Sequence, residues 1–129
     1  MGKLPFVLDS SIVINHLNKK LDIEEFFKTI APDTERIISI VTYMETLAKS
    51  DMTPYIEQEA MVFLASCKTE NISNEIRDET IKLRRINPYR KLPDCIIMAT
   101  AVSLKATLLS NDPHLLNMVW PGLVVKWLS

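Results

Sequence analysis

The stretch KLPDCIIMATAVSLKATLLSND (residues 91–112) combines a proline, two aspartates and a nearly uncharged run of small and apolar residues. A proline suits the first turn of a helix, where it removes no helical hydrogen bond, so residues 93–105 are predicted as a helix. ATLLS (residues 106–110) follows as a short buried strand. Asp94 and Asp112 lie on either side of this predicted core segment, which has no need of carboxylates. We therefore expect both acids to act at the surface.

Short apolar runs and helical patterns alternate along the rest of the chain. Strands are predicted at residues 5–9, 36–40, 69–73, 106–110 and 123–128, and helices at residues 10–17, 22–30, 42–50, 53–67, 74–86, 93–105 and 112–118. Strands that are separated by helices pair in parallel, so the expected fold class is a three-layer α/β/α sandwich with a central, mainly parallel sheet. Ser10 or Ser11 is the expected cap of the first helix, and Thr42 and Glu45 have the spacing of a capping box.

Length and composition fit one domain over residues 1–129. The chain is 47% apolar and 24% charged and has only two glycines, which excludes low-complexity disorder. No apolar run approaches the roughly 18 residues needed to cross a bilayer, and Asp9 interrupts the N-terminal one. We therefore expect no membrane span, no signal peptide and a cytoplasmic protein. Cys67 and Cys95 lie in apolar helical patterns and are expected to be buried thiols rather than a disulfide.

Four acids occupy related positions on the predicted elements. Asp9 ends the first strand, and Asp112 directly follows the strand ATLLS. Glu45 lies one turn into the helix after the second strand, and Asp94 opens a late helix. Ligands of open parallel sheets gather outside the carboxyl ends of the strands, so these side chains are expected to converge. Carboxylates in one cleft repel one another unless a cation lies among them, and ligands that are all oxygens suit Mg²⁺ or Mn²⁺.

Each acid also has a structural explanation. Asp9 could cap the helix that follows, and Glu45 could belong only to the capping box. Asp94 suits the positive end of a helix dipole, and Asp112 before a proline suits a turn or a cap. Their shared placement favours a functional interpretation over four separate structural ones.

Four blocks of the sequence, VLDSSIVI, METLA, KLPDCIIMATA and LLSNDPHL, resemble those of the PIN-domain family, and most closely its VapC-type toxins from bacterial toxin–antitoxin pairs. The resemblance extends from Leu4 to Leu128. Its third block is the most specific, because proline, aspartate and a helix of small residues occur together. The resemblance implies a PIN-like, metal-dependent ribonuclease fold. The residues that match the family's acidic quartet are Asp9, Glu45, Asp94 and Asp112, and those that match its supporting hydroxyl residues are Ser10 and Ser110.

The resemblance also implies an activity and partners. Asp9, Asp94 and Asp112 would hold one or two Mg²⁺ ions, for which Mn²⁺ can substitute, and Glu45 would be a further ligand or would orient a water. The implied reaction is endoribonucleolytic hydrolysis, in which a metal-activated water attacks the phosphate and leaves 5′-phosphate ends. The implied partners are an RNA substrate, a cognate antitoxin and a second copy of the chain in a homodimer.

Basic residues cluster just before the third acid, at Arg84, Arg85, Arg90 and Lys91. They could form the solvated end of a helix, where the dipole favours cations, or a patch that contacts RNA phosphates near the metal site. Tyr89 among them could stack on a base. The net charge of −1 argues weakly against nucleic-acid binding by bulk electrostatics, but it does not exclude such a patch.

Other classes of protein fit the sequence less well. A haloacid-dehalogenase-type phosphatase with Asp9 as nucleophile needs a second aspartate two residues later, where this chain has Ser11. A receiver-type phosphoacceptor needs its acid after a middle strand, and Asp9 follows the first strand. The remaining alternative is a PIN-like domain that has lost catalysis and binds protein or RNA, for which the sign would be a missing acid. All four acids are present, and the choice between a toxin and a housekeeping nuclease stays open.

Overall fold

The computed structural model of the protein describes residues 5–129. Leu4, where the family resemblance begins, lies outside that range. The strands are β1 (Phe6–Leu8), β2 (Arg36–Ser39), β3 (Lys68–Glu70), β4 (Thr107–Ser110) and β5 (Val124–Trp127). They form a five-stranded sheet in the order β3-β2-β1-β4-β5, and every neighbouring pair is parallel. The first strand of the chain therefore lies at the centre of the sheet.

Helices connect the strands and cover both faces of the sheet. They are α1 (Ser10–Leu17), α2 (Ile23–Thr29), α3 (Ile40–Leu47), α4 (Pro54–Ala65), α5 (Asn74–Ile86), α6 (Leu92–Ser103) and α7 (Pro113–Leu116). Successive strand residues point to opposite faces, so Val7 and Leu108 join one buried cluster with residues of α5 and α6. Leu8 and Leu109 join the other cluster, with residues of α1, α2 and α4. The predicted three-layer α/β/α sandwich with a parallel sheet is confirmed.

Helix α6 is buried along most of its length. Its buried residues are Cys95, Ile97, Met98, Ala99, Thr100 and Ala101. Full burial of a side chain such as Met98, which has 0% exposure, contributes about 1.5–3 kcal/mol to the free energy of unfolding. A helix packed this tightly holds its first turn in a fixed place, and that turn carries Asp94.

The predicted start of the third helix is wrong. Helix α3 begins at Ile40, directly after β2, and the Ser39 hydroxyl caps it by accepting the Val41 N–H at 3.1 Å. Thr42 therefore lies inside the helix and is fully buried. The capping box predicted from Thr42 and Glu45 does not form, because the chain turns into the helix two residues earlier than the apolar pattern indicates.

The remaining differences from the predicted elements are small. Asp9, and neither predicted serine, occupies the N-cap position of α1, and β3 is shorter and starts earlier than predicted. Cys67 and Cys95 are free thiols buried in the two separate core clusters, as predicted. Within residues 5–129, no helix is both long enough and apolar enough to cross a membrane.

Helices α1 and α6 both end with a lysine in the left-handed region, Lys19 with φ of 60° and Lys105 with φ of 53°. After α6, the Ala106 N–H donates to the Ala101 carbonyl at 2.9 Å and the Lys105 N–H donates to the Val102 carbonyl at 3.2 Å. This is the Schellman ending of a helix, at which glycine is the usual residue. A residue other than glycine in this left-handed conformation destabilises the folded state by roughly 1–2 kcal/mol.

We predict that Lys105→Gly raises the free energy of unfolding by about 0.5–1 kcal/mol, because relief of the backbone strain outweighs the added freedom of the unfolded chain. Urea denaturation measures the change. The control is Lys105→Ala, which keeps the strain and should give no gain. Equal stabilisation by both variants would assign the effect to the lost lysine charge and contradict the strain argument.

Candidate active site

Asp9 is the buried acid at the centre of the candidate site. It follows β1, and its N–H donates to the Leu109 carbonyl of β4 at 2.9 Å, so the strand pairing places it beside Ser110. Its Oδ2 accepts hydrogen bonds from the hydroxyls of Ser11 at 2.6 Å and Ser110 at 2.9 Å. Asp9 is only 6% exposed and Ser110 is fully buried. Two hydroxyl groups thus fix the orientation of this carboxylate.

Burial raises the pKa of the Asp9 carboxyl, because the ionised form loses its hydration. The hydrogen bonds from Ser11 and Ser110 oppose this increase in pKa, and the charge of Asp112 adds to it. The chain therefore keeps a carboxyl group where its ionised form is disfavoured. Such perturbed acids concentrate at functional sites.

Asp94 lies half-buried in the first turn of α6. Burial raises the pKa of its carboxyl, and the charges of Asp9, Glu45 and Asp112 raise it further, while Arg90 opposes them. The other three acids are therefore near enough for their charges to act on the Asp94 carboxyl. Asp9 and Asp112 directly follow the parallel strands β1 and β4, Asp94 lies in the first turn of α6, and Glu45 lies in α3, which follows β2.

Glu45 reaches this edge from α3 and is exposed. Its Oε1 accepts the Ser10 hydroxyl hydrogen bond at 2.7 Å, and Ser10 shares a second hydrogen bond, of 3.0 Å, with the buried Thr42 hydroxyl. The hydroxyl of Ser10, predicted to support the metal site, thus hydrogen-bonds to Glu45, whereas only the backbone N–H of Ser10 acts on the adjacent Asp9. This contact ties the start of α1 to α3.

Ser11 and Thr42 also contribute hydroxyl groups to the site, although the sequence alone does not assign them to it. A hydroxyl two residues after an aspartate is a common partner of that aspartate in local turns, and this spacing could have identified Ser11. No local signal identifies Thr42, because its partner Ser10 lies 32 residues earlier and meets it only through the packing of two helices.

Asp112 lies at the N-cap of α7, as its structural explanation predicts. Its Oδ1 accepts the His114 N–H at 3.0 Å and lies 3.1 Å from the Nδ1 of the same histidine. The backbone N–H of Asp112 donates to the Ser110 hydroxyl at 3.0 Å. One serine hydroxyl therefore connects the carboxylate of Asp9 to the backbone that carries Asp112.

The four carboxylates offer oxygen donors only, the kind that Mg²⁺ and Mn²⁺ bind. Within residues 5–129, Asp9, Glu45 and Asp94 form no ion pair with a basic side chain. As oriented, no three acidic, histidine or cysteine side chains in that range form a group able to hold a metal ion. Glu45 is turned toward Ser10, and Asp112 is turned toward α7. The donor chemistry fits Mg²⁺, and the ligand set remains a prediction.

The basic cluster extends from the last turn of α5, which carries Arg84 and Arg85, into the loop before α6, which carries Arg90 and Lys91. Arg85 and Lys91 are exposed, and Arg84 and Arg90 are half-buried. The Arg90 side chain differs from the others, because its Nη2 donates to the His114 carbonyl at 2.6 Å. Nearby, 74% of Tyr89 is exposed. A cationic surface with one accessible aromatic ring therefore borders the acidic edge.

A parallel α/β sandwich with acids at the carboxyl edge of its central strands defines the class of this protein. A model of the PIN domain family matches residues 6–120. Because this match covers most of the chain, the protein belongs to the PIN domain family, as the sequence resemblance predicts. Comparison with curated proteins gave no significant match.

Solved structures share the fold over nearly the whole chain. A chain of the VapBC2 crystal structure from Rickettsia felis, bound to a DNA fragment from its promoter, is 19% identical, with 98% of this chain and 100% of that chain covered at a TM-score of 0.85. A chain of a toxin–antitoxin complex from Klebsiella pneumoniae is 27% identical, with 92% of this chain and 94% of that chain covered at a TM-score of 0.70. A chain of VapBC-1 from nontypeable Haemophilus influenzae is 18% identical, with 95% of this chain and 97% of that chain covered at a TM-score of 0.78.

We predict that Asp94→Asn raises the free energy of unfolding of EDTA-treated protein at pH 7 by up to about 1 kcal/mol, a small value because solvent screens a half-buried acid. The pKa of Asp94 is raised in the folded state. Its contribution to stability is therefore fully present below the unfolded pKa and is lost as the pH rises through the folded pKa. The gain from the substitution should largely disappear at about pH 3, where the carboxyl is mostly protonated in both the folded and the unfolded state. Urea denaturation at the two pH values measures it.

The matched control for this prediction is Asp78→Asn. A hydrogen bond from Arg77 lowers the pKa of Asp78, so removal of its charge should not stabilise the fold. If both variants gained stability equally at pH 7, the cause would be reduced overall negative charge and not repulsion at the acidic edge.

Proposed function

We propose that the protein is a Mg²⁺-dependent endoribonuclease that hydrolyses RNA phosphodiester bonds, with Mn²⁺ able to replace Mg²⁺. The observation that carries the proposal is the placement of Asp94 near three other acids: burial raises the pKa of its carboxyl, and the charges of Asp9, Glu45 and Asp112 raise it further. A fold gains no stability from placing acids in this way, whereas a cation among them would convert repulsion into attraction. Membership of the PIN domain family and the likeness to VapBC structures support the same conclusion.

Each acid has a role that follows from its surroundings. Asp9, held by Ser11 and Ser110, would be the rigid ligand, and Asp94 and Asp112 would complete the oxygen set. Glu45 is exposed and held through one oxygen, so it would orient the attacking water or bind a second ion. When bound, Mg²⁺ supplies positive charge that stabilises the phosphodiester transition state and acidifies water.

The cationic surface beside Asp94 supports RNA as the substrate. Exposed Arg85 and Lys91, with Arg84 behind them, would contact phosphates and bring the chain of the RNA toward the acids. Tyr89 offers an exposed ring on which an unpaired base can stack. Single-stranded RNA suits this surface, since an unstacked base must be available.

Cleavage of total cellular RNA by the purified protein tests the proposal. We expect sharp cuts with 5′-phosphate ends in Mg²⁺, no cuts in EDTA, and a loss of at least about 100-fold in rate for Asp94→Asn. The matched control is Asp33→Asn, a variant of an exposed acid outside the site, which should cleave like the wild type. Products with 2′,3′-cyclic phosphates would show that the ribose hydroxyl, and not water, is the nucleophile.

A binding module without catalysis is the alternative. Within residues 5–129, no complete metal-binding group stands assembled, which is the observation that favours it. If well-folded, partner-free protein binds RNA but cuts none of it in Mg²⁺ or Mn²⁺, the binding module is the correct interpretation.

We also propose that the protein is the toxin of a toxin–antitoxin pair and that it forms a homodimer. The similar solved structures are VapBC or toxin–antitoxin complexes. Helix α4 exposes Tyr55, Ile56 and Val62, apolar side chains that a partner chain could cover.

Induced expression in bacterial cells should separate a toxin from a housekeeping nuclease. We predict that the wild type arrests growth, because unrestrained cleavage would deplete essential RNA, and that Asp94→Asn does not. Colony counts after induction measure the effect, with equal protein levels confirmed by immunoblot. Normal growth with active wild-type enzyme present would contradict the toxin role and leave the nuclease proposal intact.

A further inference from the structure

Arg90 links two segments that each carry an acid of the candidate site. It lies in the loop between α5 and α6, four residues before Asp94. Its Nη2 donates to the carbonyl oxygen of His114 in α7 at 2.6 Å, across 24 residues of sequence. Since α7 begins directly after Asp112, this bond connects the loop before one acid to the helix after another.

The loop end of this link is held firmly. Asn87 is buried, and its Nδ2 donates to the Leu83 carbonyl of α5 at 3.0 Å. Its Oδ1 accepts the Tyr89 hydroxyl at 3.1 Å, and its backbone carbonyl accepts the Arg90 N–H at 2.9 Å. The guanidinium carbon of Arg90 lies 5.7 Å from the centre of the Tyr89 ring, within the range of a cation–π contact. The arginine therefore starts from a fixed backbone position.

The α7 end needs such a link. The helix has four residues, so its carbonyl groups lack the partners that a longer helix supplies. Arg90 supplies one partner, at the His114 carbonyl. The Arg90 bond adds to the cap from Asp112, the buried Leu115 and the packing of α7 against β5.

The guanidinium group is placed at a cost to stability. Its Nε is buried and has no hydrogen-bond partner within residues 5–129. An unpaired buried donor lowers stability, so stability alone does not explain this arrangement. Arginine suits the task because its planar fork can donate in a fixed direction while its charge stays near the carboxylates. Consistent with this, Arg90 opposes the increase in the pKa of Asp94.

We propose that Arg90 is a positioning residue that holds α7, and with it Asp112, in register with Asp94, and that it does not serve as a direct RNA contact. The proposal rests in part on the proposed function, because the geometry it protects is that of the acidic edge. It separates Arg90 from the exposed Arg85, which keeps the role of phosphate contact.

The test compares Arg90→Gln with Arg77→Gln, an exposed arginine of α5 that bonds to Asp78. Amide hydrogen exchange, followed by NMR at His114 and Leu115, should be about tenfold faster in Arg90→Gln and unchanged in Arg77→Gln. The Mn²⁺ dissociation constant, measured by electron paramagnetic resonance, should rise roughly tenfold in Arg90→Gln alone. Arg90→Lys retains a donor and a charge, so its amide exchange in α7 and its Mn²⁺ affinity should lie between those of the wild type and Arg90→Gln. It replaces Arg90→Gln in the test if the glutamine variant does not fold.

RNA kinetics distinguish positioning from phosphate contact. Arg90→Gln should lower kcat with little change in KM. Arg85→Gln should instead raise KM. It should also reduce, by about one unit, the slope of the logarithm of the RNA-binding constant against the logarithm of the salt concentration. The inference is overturned if Arg90→Gln behaves like Arg85→Gln, or if α7 exchange or Mn²⁺ affinity matches the wild type. If the wild type binds no Mn²⁺ and cuts no RNA, the proposed function fails. Exchange in α7 then still decides whether Arg90 holds that helix.

Discussion

The buried carboxylate of Asp9 is the constraint on which the rest of the site depends. A carboxyl group with 6% exposure can ionise only with hydrogen-bond donors close by, since desolvation of its charged form is otherwise costly. The donors are Ser11 and Ser110, and Ser110 is available only because β4 lies beside β1 in parallel register. Parallel pairing of two strands about a hundred residues apart in sequence therefore also places a hydrogen-bond donor beside a buried acid.

Much of the fold could be predicted because its signals are local. Apolar runs such as ATLLS mark buried strands, and their alternation with helices requires parallel pairing, which in turn places strand-ending acids such as Asp9 at one edge. The starts of helices were harder to predict. A shift of two residues at α3 made Ser39 the cap and moved Thr42 from a cap to the core, and an apolar pattern does not resolve such a shift.

The pairing of hydroxyls with acids could be predicted only in part. Ser10 and Ser11 are adjacent, but neighbouring residues of a helix point in different directions around its axis. The hydroxyl of Ser10 therefore bonds to Glu45, and that of Ser11 bonds to Asp9. The bond from Arg90 to His114 carries no sequence signal at all, because it depends on where two loops meet after the sheet has formed. Family resemblance supplies the acids of the candidate site, but the contacts that orient them follow from packing.

A shared pattern in these contacts reconciles their structural and proposed chemical roles. Each of three acids uses one of its two oxygens in these contacts. The hydroxyls of Ser11 and Ser110 both bond to Oδ2 of Asp9. The His114 contacts involve Oδ1 of Asp112, and the Ser10 hydroxyl bonds to Oε1 of Glu45. A carboxylate that the protein orients through one oxygen keeps the other for a cation or a water. The cap at α7 and a metal-binding role for Asp112 are thus compatible, because they use different atoms. For Asp112, the structural explanation does not compete with the proposed one, since the cap orients the carboxylate through a single oxygen.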